Sequence, residues 1–171
     1  PPIAPDLSAE LPEIEIATRW ILAPEVEQHL IRYQDKSFFE PNGLLVDSTF
    51  FDVFNFEFKE GDPATVLDGP STVVLAAEVA AKIFDDTSPI DELIIINSGW
   101  STDTFRVTGV LKQMKPSHLN AGFYMCMNSR GWGEYWSSVT TWAWQNIANS
   151  YVKLTPGAKP EDIDAKLPPL I

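Results

Sequence analysis

The chain predicts an α+β domain of mixed and antiparallel sheet with a few short helices. Three observations carry this reading. Strand-like runs recur along most of the chain, helical spacing is confined to short stretches, and strict strand–helix–strand alternation is absent, which disfavours a doubly wound parallel sheet. Apolar residues make up 44% of the 171 and aromatics 12%, ample for a buried core. That length fits one domain, or two lobes sharing a chain. There is no internal repeat and no low-complexity segment.

Residues 1–12 hold four prolines and read as an extended lead-in, with a short turn at Asp6–Glu10. Residues 13–22 open with period-two alternation. Ile14 and Ile16 share one face and Glu13 and Glu15 the other, the mark of a half-buried strand. His29–Tyr33 and Lys36–Glu40 flank Gln34-Asp35 as a hairpin. Pro41-Asn42-Gly43 reads as a turn before a short strand, Leu44–Asp47. Ser48 is placed to cap a helix through Phe54, which would stack Phe50 on Phe54 four residues later. Asp62 and Pro63 then signal a second short helix through Leu67.

Thr72–Leu75 is a fully apolar strand that runs into helical spacing over residues 76–84, ended by residues 85–89. Glu92–Asn97 and Thr104–Lys112 are the clearest strands and are joined as a hairpin. Ala121–Met127 and Ser150–Leu154 add two more. Lys159–Leu167 starts a helix, with Pro160 in its first turn.

Lys and Arg number 12 against 24 Asp and Glu, a net charge of −12. That field repels phosphate backbones and anionic headgroups, so nucleic-acid binding is excluded. No apolar run approaches the ~20 residues of a membrane span. The lone cysteine, Cys126, lies in the apolar run Phe123–Met127 and reads as a buried structural thiol. The two histidines, His29 and His118, stand in no zinc-binding pattern, and His118 reads as a structural loop residue. Asp85, Asp86 and Asp91 read as a solvated loop, with a loose calcium site as the alternative. The serine-hydrolase elbow and the phosphate-binding loop are both missing. No cofactor is expected. Glu134 sits among Trp132, Tyr135 and Trp136, where aromatic rings beside an acid can stack sugars. The cluster Trp132, Tyr135, Trp136, Trp142 and Trp144 is the candidate partner-contact site, since Trp and Tyr favour interfaces.

Five stretches, in order, resemble the periplasmic core domain of MacB/FtsX-type ABC transporter permeases. Asp47-Ser48-Thr49-Phe50-Phe51-Asp52-Val53-Phe54, running on to Gly61-Asp62-Pro63, is similar to the family's D-x-x-F-F-x-x-F segment and G-D-P turn. Ser71–Leu75 with Ala80-Ala81-Lys82-Ile83-Phe84 resembles its next strand and helix. Ser88-Pro89-Ile90 stands at D-P-I-G-K, with Asp91-Glu92 in place of Gly-Lys, a departure expected to have only local effect. Phe105–Lys112 with Ser117-His118-Leu119 resembles F-x-V-x-G-V-x-K followed by S-H-L. Tyr151–Gly157 resembles Y-V-x-L-K-P-G.

The resemblance implies one extracytoplasmic domain over residues 1–171, in a porter-like lobe and a smaller β-rich lobe, cut before the second transmembrane helix. It implies a place on the periplasmic side of the bacterial inner membrane and no catalytic residue. Its implied partners are the protein's own transmembrane helices, a cytoplasmic ATPase domain or subunit, a second copy in a homodimer, and a periplasmic adaptor or a peptide or small-molecule cargo. The implied role is mechanotransmission, as in efflux. The alternative is a free-standing periplasmic or secreted ligand-binding module, glycan-binding through the tryptophans.

Overall fold

The computed structural model describes residues 3–22, 28–99, 101–113, 116–130, 135, 138–139 and 148–167. Its elements are α1 (Ile3–Glu10), β1 (Ile14–Leu22), β2 (His29–Tyr33), β3 (Lys36–Glu40), β4 (Gly43–Val46), α2 (Phe50–Val53), β5 (Phe58–Glu60), β6 (Thr72–Leu75), α3 (Ala77–Phe84), β7 (Leu93–Asn97), β8 (Thr102–Leu111), β9 (Phe123–Cys126), β10 (Ala148–Leu154) and α4 (Pro160–Asp164). The strands join in one ten-stranded mixed sheet of order β10-β1-β4-β9-β6-β8-β7-β2-β3, with β5 beside β8. Among the described strands only β4–β9 and β6–β8 pair in parallel. The mixed α+β architecture is the predicted one.

The central strands β4, β6 and β9 are buried at every residue. Both faces of the sheet are covered there, which is why their sequences are continuous apolar runs rather than alternating ones. On one face Leu45, Val73, Leu75, Phe123 and Met125 pack under Val79, Ile83 and Phe84 of α3. On the other Leu44, Val46, Val74, Tyr124 and Cys126 pack under Phe50 and Phe51 of α2 and under Val66 and Leu67. A third cluster of Leu7, Leu11, Ile14 and Ile163 ties α1 and α4 to the β1–β10 edge.

Five local expectations need correction. Residues 3–10 are helical, not extended. Pro5 falls in the first turn, where its missing N–H needs no partner, and Ala4 and Leu7 bury the inner side. In β1 the register shifts between Ile14 and Ile16, a bulge that breaks the alternation, so it is Ala17 that packs with Ile14 against the third cluster. Gly43 belongs to β4, not to the preceding turn. A Cβ there would lie 2.3 Å from the Phe123 ring, so glycine is needed for close approach. Thr49, not Ser48, occupies the cap of α2, and its hydroxyl donates to the Ala17 carbonyl at 2.7 Å. Residues 63–67 form turns closed by Asp62 rather than a helix, with the Ala64 N–H donating to its side chain at 3.0 Å.

Candidate functional site

Phe50 sits at the centre of an aromatic cluster. Its ring lies 5.2 Å from Phe51, 4.9 Å from Phe54, 5.8 Å from Phe56 and 5.6 Å from Tyr124. The helical spacing of Phe50 and Phe54 makes the second contact, as expected. Burial pushes the Tyr124 phenol up to about 12. Its hydroxyl donates to the Leu119 carbonyl at 2.9 Å and accepts the Ala121 N–H at 3.1 Å. The segment after β8 is thereby pinned to β9.

Two hydrogen bonds of 2.9 Å join the Arg19 guanidinium to the Asp47 carboxylate. The same carboxylate accepts the Arg19 backbone N–H at 2.8 Å. Asp47 thus fastens the start of α2 to β1, a partner that no local pattern reveals. Gly61 and Gly109 also meet. A Cβ on Gly61 would fall 2.5 Å from the Thr108 carbonyl oxygen and 2.9 Å from the Gly109 Cα, so the turn at Gly61 closes onto β8 only without a side chain there.

Beside this cluster the chain leaves an open groove of about 670 Å³, lined by Phe54, Phe56, Glu57, Lys112, Ser117 and Asn120 among others. At its rim His118 Nε2 lies 2.9 Å from the Tyr151 hydroxyl, with the two rings stacked, and Tyr151 meets Phe54 edge-on at 5.1 Å. Lys112 pairs with Glu57 at 3.0 Å across the groove wall. The groove offers apolar contact and hydrogen bonds, and His118 is turned to a phenol.

His29 is buried, 3.2 Å from the Ser98 hydroxyl and edge-on to Phe123, and burial pulls its pKa down. The Cys126 thiol is buried as expected, 3.4 Å from the Leu67 carbonyl, and burial pushes its pKa up. Asp85 pairs with Lys36 and Asp91 with Arg106. Among the described residues no group of three or more His, Cys, Asp or Glu is placed to hold a metal ion. Of the partner-contact cluster, Trp132, Trp136, Trp142 and Trp144 lie outside the described residues. Glu134 does too. Tyr135 is described and exposed, and its carbonyl accepts the Ser138 hydroxyl at 2.7 Å. Val139 is buried and joins the α3-side core.

The two ends of the described chain come together. Ile3 and Leu167 pack against the same cluster, Lys166 pairs with Glu13, and the Thr155 N–H donates to the Glu13 carbonyl at 2.8 Å. Among the described residues no helix is long and apolar enough to cross a membrane.

The model of the MacB-like periplasmic core domain family matches residues 2–170. The chain belongs to this family. MacB-like periplasmic core domains are parts of ABC transporter permeases. Three solved structures are similar in fold. One is a domain of a putative permease from Porphyromonas gingivalis, 23% identical with a TM-score of 0.75, matched over 96% of this chain and 66% of that one. Another is the periplasmic region of MacB from Actinobacillus actinomycetemcomitans, 20% identical with a TM-score of 0.67, over 98% and 70%. A third is the extracellular domain of the ABC-type transporter YknZ from Gram-positive bacteria, 15% identical with a TM-score of 0.59, over 95% and 74%. At these identities the likeness is one of fold, and this chain spans just under two thirds of the first of these domains. No curated sequence matches it.

Asp91, which stands at the glycine of the D-P-I-G-K pattern that the sequence resembles, adopts φ 67°, the left-handed conformation that glycine favours.

Proposed function

We propose that the chain is a non-catalytic lever of an ABC transporter permease. It carries ATP-driven movement of flanking transmembrane helices to a partner or substrate handled on the periplasmic side of the bacterial inner membrane. The observation that supports this reading is the meeting of Ile3 and Leu167, at the two ends of the described residues, beside the β1–β10 edge. Displacement applied there enters a single hydrogen-bonded sheet. It emerges at the β2–β3 hairpin, eight strand spacings away along the sheet order, roughly 40 Å at about 4.8 Å each. The Arg19–Asp47 pair and the aromatic cluster stiffen the first part of that path. A cytoplasmic ATPase domain or subunit, a second copy in a homodimer, and a periplasmic adaptor or cargo are the partners this role requires.

The test is made in the intact permease. Gly/Ser linkers of about ten residues, with a root-mean-square reach of ~17 Å, are inserted before Ile3 and after Leu167. The lever reading expects ATP hydrolysis to persist while transport falls to background. Transport at the unmodified rate with both linkers in place would contradict it.

A further inference from the structure

The sheet is covered unequally. Across β8-β7-β2-β3, one face packs Ile31, Ile94, Ile96 and Phe105 into the core that α3 covers. The pairing register places Leu30 and Arg32, Ser37 and Phe39, Leu93 and Ile95, and Thr104 and Arg106 on the opposite face. There Leu93 is 60% exposed, Phe39 58% and Ile95 38%. Solvated sheet faces alternate to polar residues, so three exposed large apolar side chains on one face need another explanation.

Charge supplies it. The chain carries −12, yet none of these strand positions is a carboxylate. Arg32 lies mid-face, directly opposite Ile95 on one side and Ser37 on the other. It makes no ion pair with any described residue, whereas Arg106 is held by Asp91 at 3.4 Å at the margin. An arginine set among apolar side chains, paired with no carboxylate of the described residues on an acidic protein, is complementary to an acidic partner. A second copy docking through the same patch would set Arg32 against Arg32. The shape required is that of a helix, because a sheet face is normally completed by a helical layer and α3 already supplies it on the other side.

We propose that this face docks an amphipathic helix of a partner protein. The helix lays an apolar stripe on Phe39, Leu93 and Ile95 and offers a carboxylate to Arg32. This surface is separate from the groove beside Phe54 and stands whether or not the domain transmits motion.

The test places a photo-reactive benzoylphenylalanine at Leu93 in the intact permease in its native membrane, with a second probe at Glu161 on α4 as background. Adducts are mapped by mass spectrometry. The expected result is an adduct above background on a different protein, within a segment of helical apolar spacing that bears Asp or Glu. Its yield should fall about tenfold with Arg32→Glu, the loss of one charge-assisted contact, and recover when lysine replaces the partner's carboxylate. Ile95→Asp, which leaves Arg32 in place, should lower the yield as well. Adducts no stronger than at Glu161, adducts only to the permease itself or to a second copy, or a yield indifferent to Arg32→Glu would each overturn the proposal.

Discussion

Arg19 holds Asp47 by both guanidinium bonds at 2.9 Å and by its own backbone N–H at 2.8 Å, so a single carboxylate closes three hydrogen bonds between β1 and the start of α2. The two side chains are 11% and 18% exposed, mostly out of water. Removing one partner leaves the other charge poorly solvated. Asp47→Ala is expected to cost ~3 kcal/mol in urea unfolding, and Arg19→Met with Asp47→Leu to recover part of that loss. A cost near zero for Asp47→Ala would show that the pair is water-screened.

Gly61 approaches the Thr108 carbonyl at a φ of 92°, so a side chain there meets both backbone strain and collision. Gly61→Ala should destabilise by about 2 kcal/mol or more. Gly109→Ala, whose Cβ would touch the Phe58 and Val66 side chains at 3.0 Å, should cost less because side chains can shift. Thermal unfolding of both variants checks the order.

Asp91 sits in the left-handed region, with φ 67°, where glycine is the residue free of strain. At this exposed turn Asp91→Gly is expected to be neutral or to stabilise by up to ~1 kcal/mol, after the small loss of its surface contact with Arg106. Asp91→Val should destabilise by about 1–2 kcal/mol, since a branched side chain resists positive φ. Equal stability of the two variants would contradict the left-handed turn.

His29 is buried and its pKa lies below the ordinary 6.5. The unfolded chain therefore takes up a proton at higher pH than the folded one. The neutral ring's contribution is present above pH 6.5 and is lost as pH falls from there toward the folded pKa. The urea midpoint should drop between pH 7.5 and 5.5, and His29→Gln should flatten that part of the profile. An unchanged slope in His29→Gln would assign it elsewhere.

The sequence was legible where one residue pattern has one physical solution. The apolar runs of β6 and β9 and the hairpin of β7 with β8 needed nothing beyond local periodicity. The helix at Ile3–Glu10 was hidden because prolines argue against it locally, and packing of Leu7 and Leu11 on β1 and β10 decides it. Strand order was hidden because pairs such as Leu45 with Met125 join distant segments, and no nearby residue records the partner. The motif residues Asp47, Gly61, Gly109, His118 and Tyr151 were visible singly. Their convergence was not, since Arg19 carries no mark of its role, and Gly61 reads as a turn and Gly109 as part of a strand with nothing local to link them.

The lever reading is tested most directly by distance measurement in the intact permease through its ATP cycle. One pair of spin labels goes at Asp35 and Glu161, both exposed, in the β2–β3 turn and on α4 at opposite edges of the sheet. A second pair joins Asp35 to its equivalent in the neighbouring copy. A stiff lever predicts that the first distance stays constant between the ATP-bound and nucleotide-free states while the second changes. A change in the first distance, or none in the second, would contradict it.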